Sequence, residues 1–404
     1  MKNLCQSTSS GEKMSDDQLQ SKDVFIQILV QLSVRALMRF RCISKSWCAL
    51  IKSSTFHLLR DRKYDNVLLV RRYLPPPEDE DCFSFYDLNS LEVKQVLPNL
   101  SIPLLKDLRF KYDHPYCPEA AYLLGPDSGL ICIACIGNYY LCNPALREFK
   151  QLPPCPFVCP KGFSNEIFAE GFGCTCTNDF KIVLIRRVTL YDDYDPDLYI
   201  MVHLYTSNTN LWRTFAGDVI SVKNLCNYAC SELLFNGVCH WNANSTGFSS
   251  PDTILTFNIR TEVFGQLEFI PDWEEEVYGY CVSLIAIDNC LGMVRYEGWL
   301  EEPQLIDIWV MNEYGVGESW TKSFVIGPYE VICPFMFWNN DEWLLVESTE
   351  GQLVACALHT NEARRLQICG VERTLRSVIY KESLISLNQV RAQFFFQIKI
   401  SYKL

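Results

Sequence analysis

A short all-α segment followed by a large all-β domain is what this sequence predicts, and three observations carry the prediction. Residues 22–63, KDVFIQILVQLSVRALMRFRCISKSWCALIKSSTFHLLRDRK, repeat apolar side chains at helical spacing. From residue 66 onward, short apolar runs rich in β-branched and aromatic residues alternate with turn residues. The two parts also differ in charge: residues 22–63 carry a net +7 and everything after them a net −18, in a chain of 404 residues and net −12.

The helices follow from spacing. Val24 and Ile28 stand four apart, as do Phe25 and Leu29, with Leu32 three further on, which sets them along one helix side. Ser21 suits an N-cap and Asp23 the positive first turn. A second helix is expected over Val34, Leu37, Met38 and Phe40. A third is expected over Ile43, Trp47, Leu50 and Ile51, with Ser44 as its cap. A unit of this size cannot bury so much apolar surface alone. It either caps the rest of the chain or docks a partner.

The β part repeats. A first apolar run leads to a loop, then a second run, a turn and a third run. The second runs begin at Tyr86, Cys142, Tyr205, Phe257, Trp309 and Cys356, at spacings of 56, 63, 52, 52 and 47 residues. A period near 50 is in the range of kelch-like propeller blades. Turn residues such as Asn89-Ser90 and Asn208-Thr209 fall where hairpins need them. The expected architecture is therefore a β-propeller-like domain of about six irregular blades, with a pair of β-sandwiches as the alternative.

Acidic residues recur at one repeat position, the loop between the first and second runs. Glu78, Asp79, Glu80 and Asp81 occupy it in the first repeat, Asp192, Asp193, Asp195 and Asp197 in the third, and Glu301 and Glu302 in the fifth. Superposed repeats would bring these loops to one face. A third run ending on that face would add Asp272, Glu274, Glu275 and Glu276. Tyr194, Trp273 and Trp299 lie among the acids, and aromatic anchors inside a charged rim suit protein binding. A domain of net −18 repels nucleic acid and anionic membrane and attracts basic proteins. The same acids would also serve plain solubility.

Other classes find little support. No run of 18 apolar residues suggests a transmembrane helix, and the polar residues 1–20 contain no apolar signal core. That segment is expected to be disordered. The 20 cysteines are scattered. Cys132 and Cys135 form a lone CxxC whose members would point to opposite strand faces. Most cysteines read as small apolar residues of a reducing, cytoplasmic protein, with no metal site. The five histidines, His57, His114, His203, His240 and His359, form no nucleophile arrangement. His240 beside Trp241 reads as packed. HEXXH, P-loop and GxGxxG motifs are absent, and the DDYDPD run lacks the spacing of a calcium loop. No catalytic residues and no cofactor are expected.

DVFIQILVQLSVRALMRFRCISKSWCALI resembles the F-box, which docks substrate adaptors onto a Skp-family linker in cullin-based ubiquitin ligases. The resemblance implies contacts from Val24, Phe25, Ile28, Leu29, Leu32, Val34, Leu37, Phe40, Ile43, Trp47 and Leu50, made with the linker or within the bundle beneath it. Two positions depart from the usual pattern: Gln20-Ser21 and Leu32-Ser33 stand where F-boxes have Leu-Pro. Ser33 retains the ability to cap the second helix.

PDSGLICIACIGNYYLCNPALREFKQLPP, CPKGF, NGVCHW, TFNIRTEVF and IDIWVMNEYGVGESWTKSF resemble the plant S-locus F-box proteins with their F-box-associated domain. That resemblance implies a non-catalytic receptor acting in pollen self-incompatibility. Its partners would be a Skp-type linker, indirectly a cullin and a RING protein, and a basic S-ribonuclease as substrate. A scaffold outside any ligase, or a paralogue with another basic target, is the alternative. The expected division is a disordered segment 1–20, an F-box 21–63, an F-box-associated β domain 64–390 and a C-terminal extension 391–404.

Overall fold

The computed structural model describes residues 24–61, 66–78, 80–97, 122–135, 137–176, 179–190, 199–216, 224–225, 232–244, 252–269, 281–297 and 302–387. The chain divides into two compact units, residues 1–65 and 66–404.

The first unit is helical. Helix α1 spans 24–30, α2 Val34–Arg41, α3 Lys45–Ile51 and α4 Ser54–Asp61. Ser33 caps α2 by accepting from the Ala36 amide at 3.3 Å, and Ser44 caps α3 by accepting from Trp47 at 3.2 Å. The sequence signals for both caps were sound. Ser53, whose hydroxyl accepts from the Phe56 amide at 3.3 Å, does the same for α4. Leu29, Val30, Val34, Leu37, Ile51 and Phe56 form the interior. Arg60 is buried with them and donates to the Leu32 carbonyl at 2.7 Å. That bond satisfies an acceptor left over at the end of the first helix.

The second unit is a propeller of six antiparallel sheets. Blade 1 begins with β1 (Val67–Leu74), β2 (Glu80–Asp87) and β3 (Val93–Leu97). Blade 2 holds β4 (Tyr122–Asp127), β5 (Leu130–Cys135), β6 (Asn138–Asn143) and β7 (Glu148–Gln151). Blade 3 holds β8 (Phe163–Cys176), β9 (Asp179–Leu190), β10 (Tyr199–Thr206) and β11 (Leu211–Ala216). Blade 4 holds β12 (Asn224–Leu225), β13 (Glu232–Phe235), β14 (Val238–Asn244), β15 (Thr253–Asn258) and β16 (Val263–Glu268). Blade 5 holds β17 (Cys281–Ile287), β18 (Cys290–Tyr296), β19 (Gln304–Met311) and β20 (Trp320–Tyr329). Blade 6 holds β21 (Cys333–Trp338), β22 (Trp343–Glu347), β23 (Gln352–Ala357) and β24 (Ala363–Cys369). The last strand, β25 (Arg376–Tyr380), returns to blade 1 and pairs with β1, from Val67↔Tyr380 to Arg71↔Arg376.

Ring closure is visible in the inner strands, which touch in the order β25, β4, β8, β13, β17, β21 and back to β25. The core is divided into six apolar clusters, one per interface between blades. Adjacent residues on one strand serve opposite interfaces. Leu69 faces blade 2 while Val70 faces blade 6, and Ile182 faces blade 2 while Val183 faces blade 4. Both faces of these second strands are therefore dry, and they read as unbroken apolar runs rather than alternations. Cys132 and Cys135 divide the same way, one facing blade 3 and one facing blade 1. Fourteen cysteines among the described residues are free, and Cys333 is disulfide-bonded.

The six recurring positions of the sequence fall on the third strand of each blade: Tyr86, Cys142, Tyr205, Phe257, Trp309 and Cys356. The hairpin that follows explains the repeat. Asp87 Oδ1 accepts from the Asn89 amide at 2.9 Å, and Asn258 Oδ1 accepts from Thr261 at 2.9 Å. The chain then enters the fourth strand through a left-handed residue: Leu91, Arg147, Asn210, Glu262 or Asn361, with φ between 53° and 60°. In blade 2 the equivalent Asn143 has a second task. It is fully buried and donates to the carbonyls of Ser383 at 3.1 Å and Ile385 at 2.7 Å. This ties down the segment that leaves β25. That segment runs so close to the β4–β5 turn that a Cβ on Gly129 would lie 2.2 Å from Ser383 Cβ.

Candidate functional site

The residues expected to bind partners fall on the helical unit and on one end of the propeller. On the helical unit, Val24, Phe25, Ile28 and Ile43 are all more than half exposed. Val24, Phe25 and Ile28 lie on one side of α1, at the three- and four-residue spacing that brings helix side chains together. Phe25 meets Trp47 of α3 edge-on at 6.0 Å, and Trp47 in turn packs on Phe40 of α2 at 5.3 Å. A continuous aromatic line thus runs from the exposed first helix into the bundle. Leu32, Phe40, Trp47 and Leu50 are half-buried along it. Leu29, Val34 and Leu37 lie wholly inside. The expected contact residues therefore separate into an outward set, a supporting set and an interior set.

On the propeller, antiparallel pairing fixes which loops share an end. The connections between second and third strands leave from Leu74, Leu190 and Glu297, and the connection from blade 4 to blade 5 leaves from Phe269. All four chain ends point to the same side of the ring. Glu78 and Glu302 are exposed there. Glu80 and Asp81 open β2, opposite Leu74 and Tyr73. Asp79, Asp192, Asp193, Asp195, Asp197, Asp272, Trp273, Glu274, Glu275, Glu276, Trp299 and Glu301 lie outside the described residues, as does Tyr194.

Several titratable groups are buried in the interior of the propeller. His240 Nε2 accepts from the Tyr314 hydroxyl at 2.8 Å while Nδ1 donates to the Val238 carbonyl at 3.0 Å. Burial pushes its pKa down to about 4, so the ring is neutral near pH 7. His203 is likewise lowered to about 4 by burial and then by Arg186, with Nδ1 against Thr214 Oγ1 at 2.8 Å. Burial raises the carboxyl of Glu170, which accepts from the Tyr139 hydroxyl at 2.5 Å. Burial, then the nearby Glu170, lifts Glu232 well above the usual carboxylate range. No group of three His, Cys, Asp or Glu among the described residues could hold a metal ion.

Sequence reasoning missed an aromatic ledge on blade 3. Phe163 and Tyr199 meet edge-on at 6.2 Å, and Leu190 stands opposite Phe163 in the strand register. The extra length of β8 and β9 was the available signal.

Known families match both parts of the chain. The F-box domain model matches residues 21–59, and the model of the F-box associated beta propeller domain matches residues 107–397. The Arabidopsis thaliana F-box protein At5g49610 is 27% identical over 321 residues, covering 74% of this chain and 76% of its own. The F-box/kelch-repeat protein At3g23880 is 25% identical over 327 residues, covering 78% and 81%. The F-box protein CPR1 is 23% identical over 393 residues, covering 90% and 88%. Both relatives are also from Arabidopsis thaliana.

Proposed function

This chain belongs to the F-box proteins that carry an F-box associated β-propeller domain, and we propose that it is the substrate-recognition adaptor of a Skp–cullin–F-box ubiquitin ligase. The observation that carries the reading is the outward apolar set Val24, Phe25, Ile28 and Ile43, within residues 22–63 of net +7. An apolar cluster with aromatic support is what a Skp-type linker helix would bury. Ser33 caps α2 at the second of the two departures from the Leu-Pro pattern, so the second helix keeps its N-cap.

The propeller would hold the target. The net charge of −18 over residues 64–404 and the shared end of the loop-bearing strands favour a basic protein. The resemblance of CPKGF and IDIWVMNEYGV to S-locus proteins points to a pollen S-ribonuclease, met in the cytoplasm. The chain itself makes and breaks no bonds in this reading. It raises the effective concentration of target lysines near the ubiquitin thioester carried by the cullin–RING assembly.

The test uses the full-length protein with Phe25→Ser and Ile28→Ser together. Both side chains are half exposed, so the bundle survives. The variant should lose co-purification with a Skp-type linker and cullin while still capturing S-ribonuclease from pistil extract. Undiminished linker binding by the variant would overturn the adaptor reading, and capture of linker and cullin with no ribonuclease would overturn the assigned target.

A further inference from the structure

The hairpin that joins β6 to β7 in blade 2 differs from its counterparts. In blades 1 and 4 the residue that ends the third strand, Asp87 or Asn258, is partly exposed, and its Oδ1 accepts from amides of its own turn. Asn143 does the same in blade 2, where Oδ1 accepts from the Leu146 amide at 3.2 Å, but its side chain is wholly buried. Its Nδ2 group donates outside the hairpin, to the carbonyls of Ser383 and Ile385. At the other end of the hairpin, the position that opens the fourth strand is apolar and exposed in blades 3 and 4, where it holds Leu211 and Val263. In blade 2 it holds Glu148, whose carboxylate accepts from the Ser386 hydroxyl at 2.9 Å and the Leu387 amide at 2.5 Å.

Residues 381–387 belong to no strand, yet they are gripped along most of their length. Gly129, at φ 73°, leaves room for Ser383 to pass over the β4–β5 turn. At the far end Leu387 is buried, and Ile385 packs with it in the apolar cluster between blades 2 and 3. β25, which feeds this segment, is the edge strand of its sheet and pairs with β1. The hold on the chain beyond Tyr380 therefore comes largely from two side chains of one hairpin. Bonds this few break together, so the segment can open locally while the sheets stay folded.

We propose that the 143–148 hairpin and residues 381–387 form a releasable clasp on the ring. While it is closed, Asn143 and Glu148 hold the chain just beyond Tyr380, and β25 stays on β1. When it opens, β25 peels from β1 starting at the Val67↔Tyr380 pair, and the ring opens within blade 1 while blades 4 to 6 keep their own pairings. The clasp needs an amide at residue 143 and a carboxylate at residue 148. Asn143→Asp keeps the acceptor for the Leu146 amide but turns a second oxygen toward two carbonyls. Glu148→Gln turns an NH2 group toward one of two donors.

Hydrogen exchange of the full-length protein, read by mass spectrometry, tests the clasp. Asn143→Asp should speed exchange of the amides shared by β25 and β1 about tenfold, and Glu148→Gln severalfold, while β18 and β19 of blade 5 exchange at the wild-type rate. Asn258→Asp, at the matching position of blade 4, should leave β25 and β1 unchanged, because its oxygen serves its own turn. Equal acceleration in blades 1 and 5 would show general destabilisation and overturn the clasp, as would unaltered exchange in β25 and β1. Should Asn143→Asp not fold, Ser386→Ala decides the matter. It removes one donor to Glu148 and should speed the same amides about threefold and leave blade 5 unchanged. No change in β25 and β1 with that variant would overturn the proposal.

Discussion

Tyr380→Ala tests whether the closing strand holds the ring. Tyr380 is 1% exposed at the end of β25, pairs with Val67 and packs edge-on against Phe85 at 5.5 Å. Its hydroxyl donates to the Gly129 carbonyl at 3.2 Å and lies 3.4 Å from the Ala145 amide, so one ring joins blades 1 and 2. Removing a fully buried aromatic side chain costs about 3–5 kcal/mol, and the lost hydroxyl contacts account for about 1 kcal/mol of that. Urea unfolding followed by tryptophan fluorescence would compare Tyr380→Ala, Tyr380→Phe and Val263→Ala. Val263 is 60% exposed on the outer strand of blade 4, so its truncation should move stability by no more than about 0.5 kcal/mol. Tyr380→Phe should fall near 1 kcal/mol and Tyr380→Ala near 4 kcal/mol, each to within about a factor of two. A Tyr380→Ala loss no larger than that of Val263→Ala would show that β25 does not secure the ring.

Burial outweighs the Arg376 guanidinium and the Arg373 and Leu375 amides around Glu347, and pushes its carboxyl up to about 7 from 4.5. The unfolded chain loses that proton first, so stability should fall as pH rises from 4.5 to 7. Glu347→Gln should abolish the slope and add about 3 kcal/mol at pH 8, read from urea midpoints at pH 5 and pH 8. His240 acts in the opposite sense. Its lowered pKa of about 4 against 6.5 makes stability fall as pH drops through that window, so His240→Gln should flatten the acid limb of the same curve. Arg147, exposed and left-handed at φ 53°, should gain about 1 kcal/mol on replacement by glycine, measured by thermal unfolding.

The parts of the fold legible in the sequence were those with local signatures. The third and fourth strands of five blades flank a short hairpin with an Asx residue, which sets Tyr86, Cys142 and their counterparts in register. The innermost strands were not separated from the runs that follow them. Dry on both faces, Leu130–Cys135 and the other second strands carry no two-residue alternation to mark where they begin. β25 was also beyond reach, because its partner lies at the other end of the domain. In the helical unit, four-residue spacing put Leu29, which is inside, on the same side of α1 as the exposed Val24 and Ile28, and could not separate Leu37, which is inside, from Ile43, which is 64% exposed. That distinction depends on how three helices meet. The blade 3 ledge arises from strand length relative to the neighbouring blade, which a single repeat does not reveal.

The mode of ring closure also bears on synthesis. β1 leaves the ribosome some 300 residues before its neighbour β25, an interval of roughly 15–60 s at ordinary elongation rates. Throughout that time Leu68, Leu69 and Val70 have a hairpin partner on one edge and none on the other. Blades 2 to 6 can each pair their own strands as they emerge, but blade 1 waits for the last. A chain stopped anywhere before residue 376 is therefore left with an open, apolar strand edge. Premature termination near the C-terminus would be as damaging as termination in the middle of the propeller, and the cell's chaperones would meet the nascent protein chiefly through its first blade.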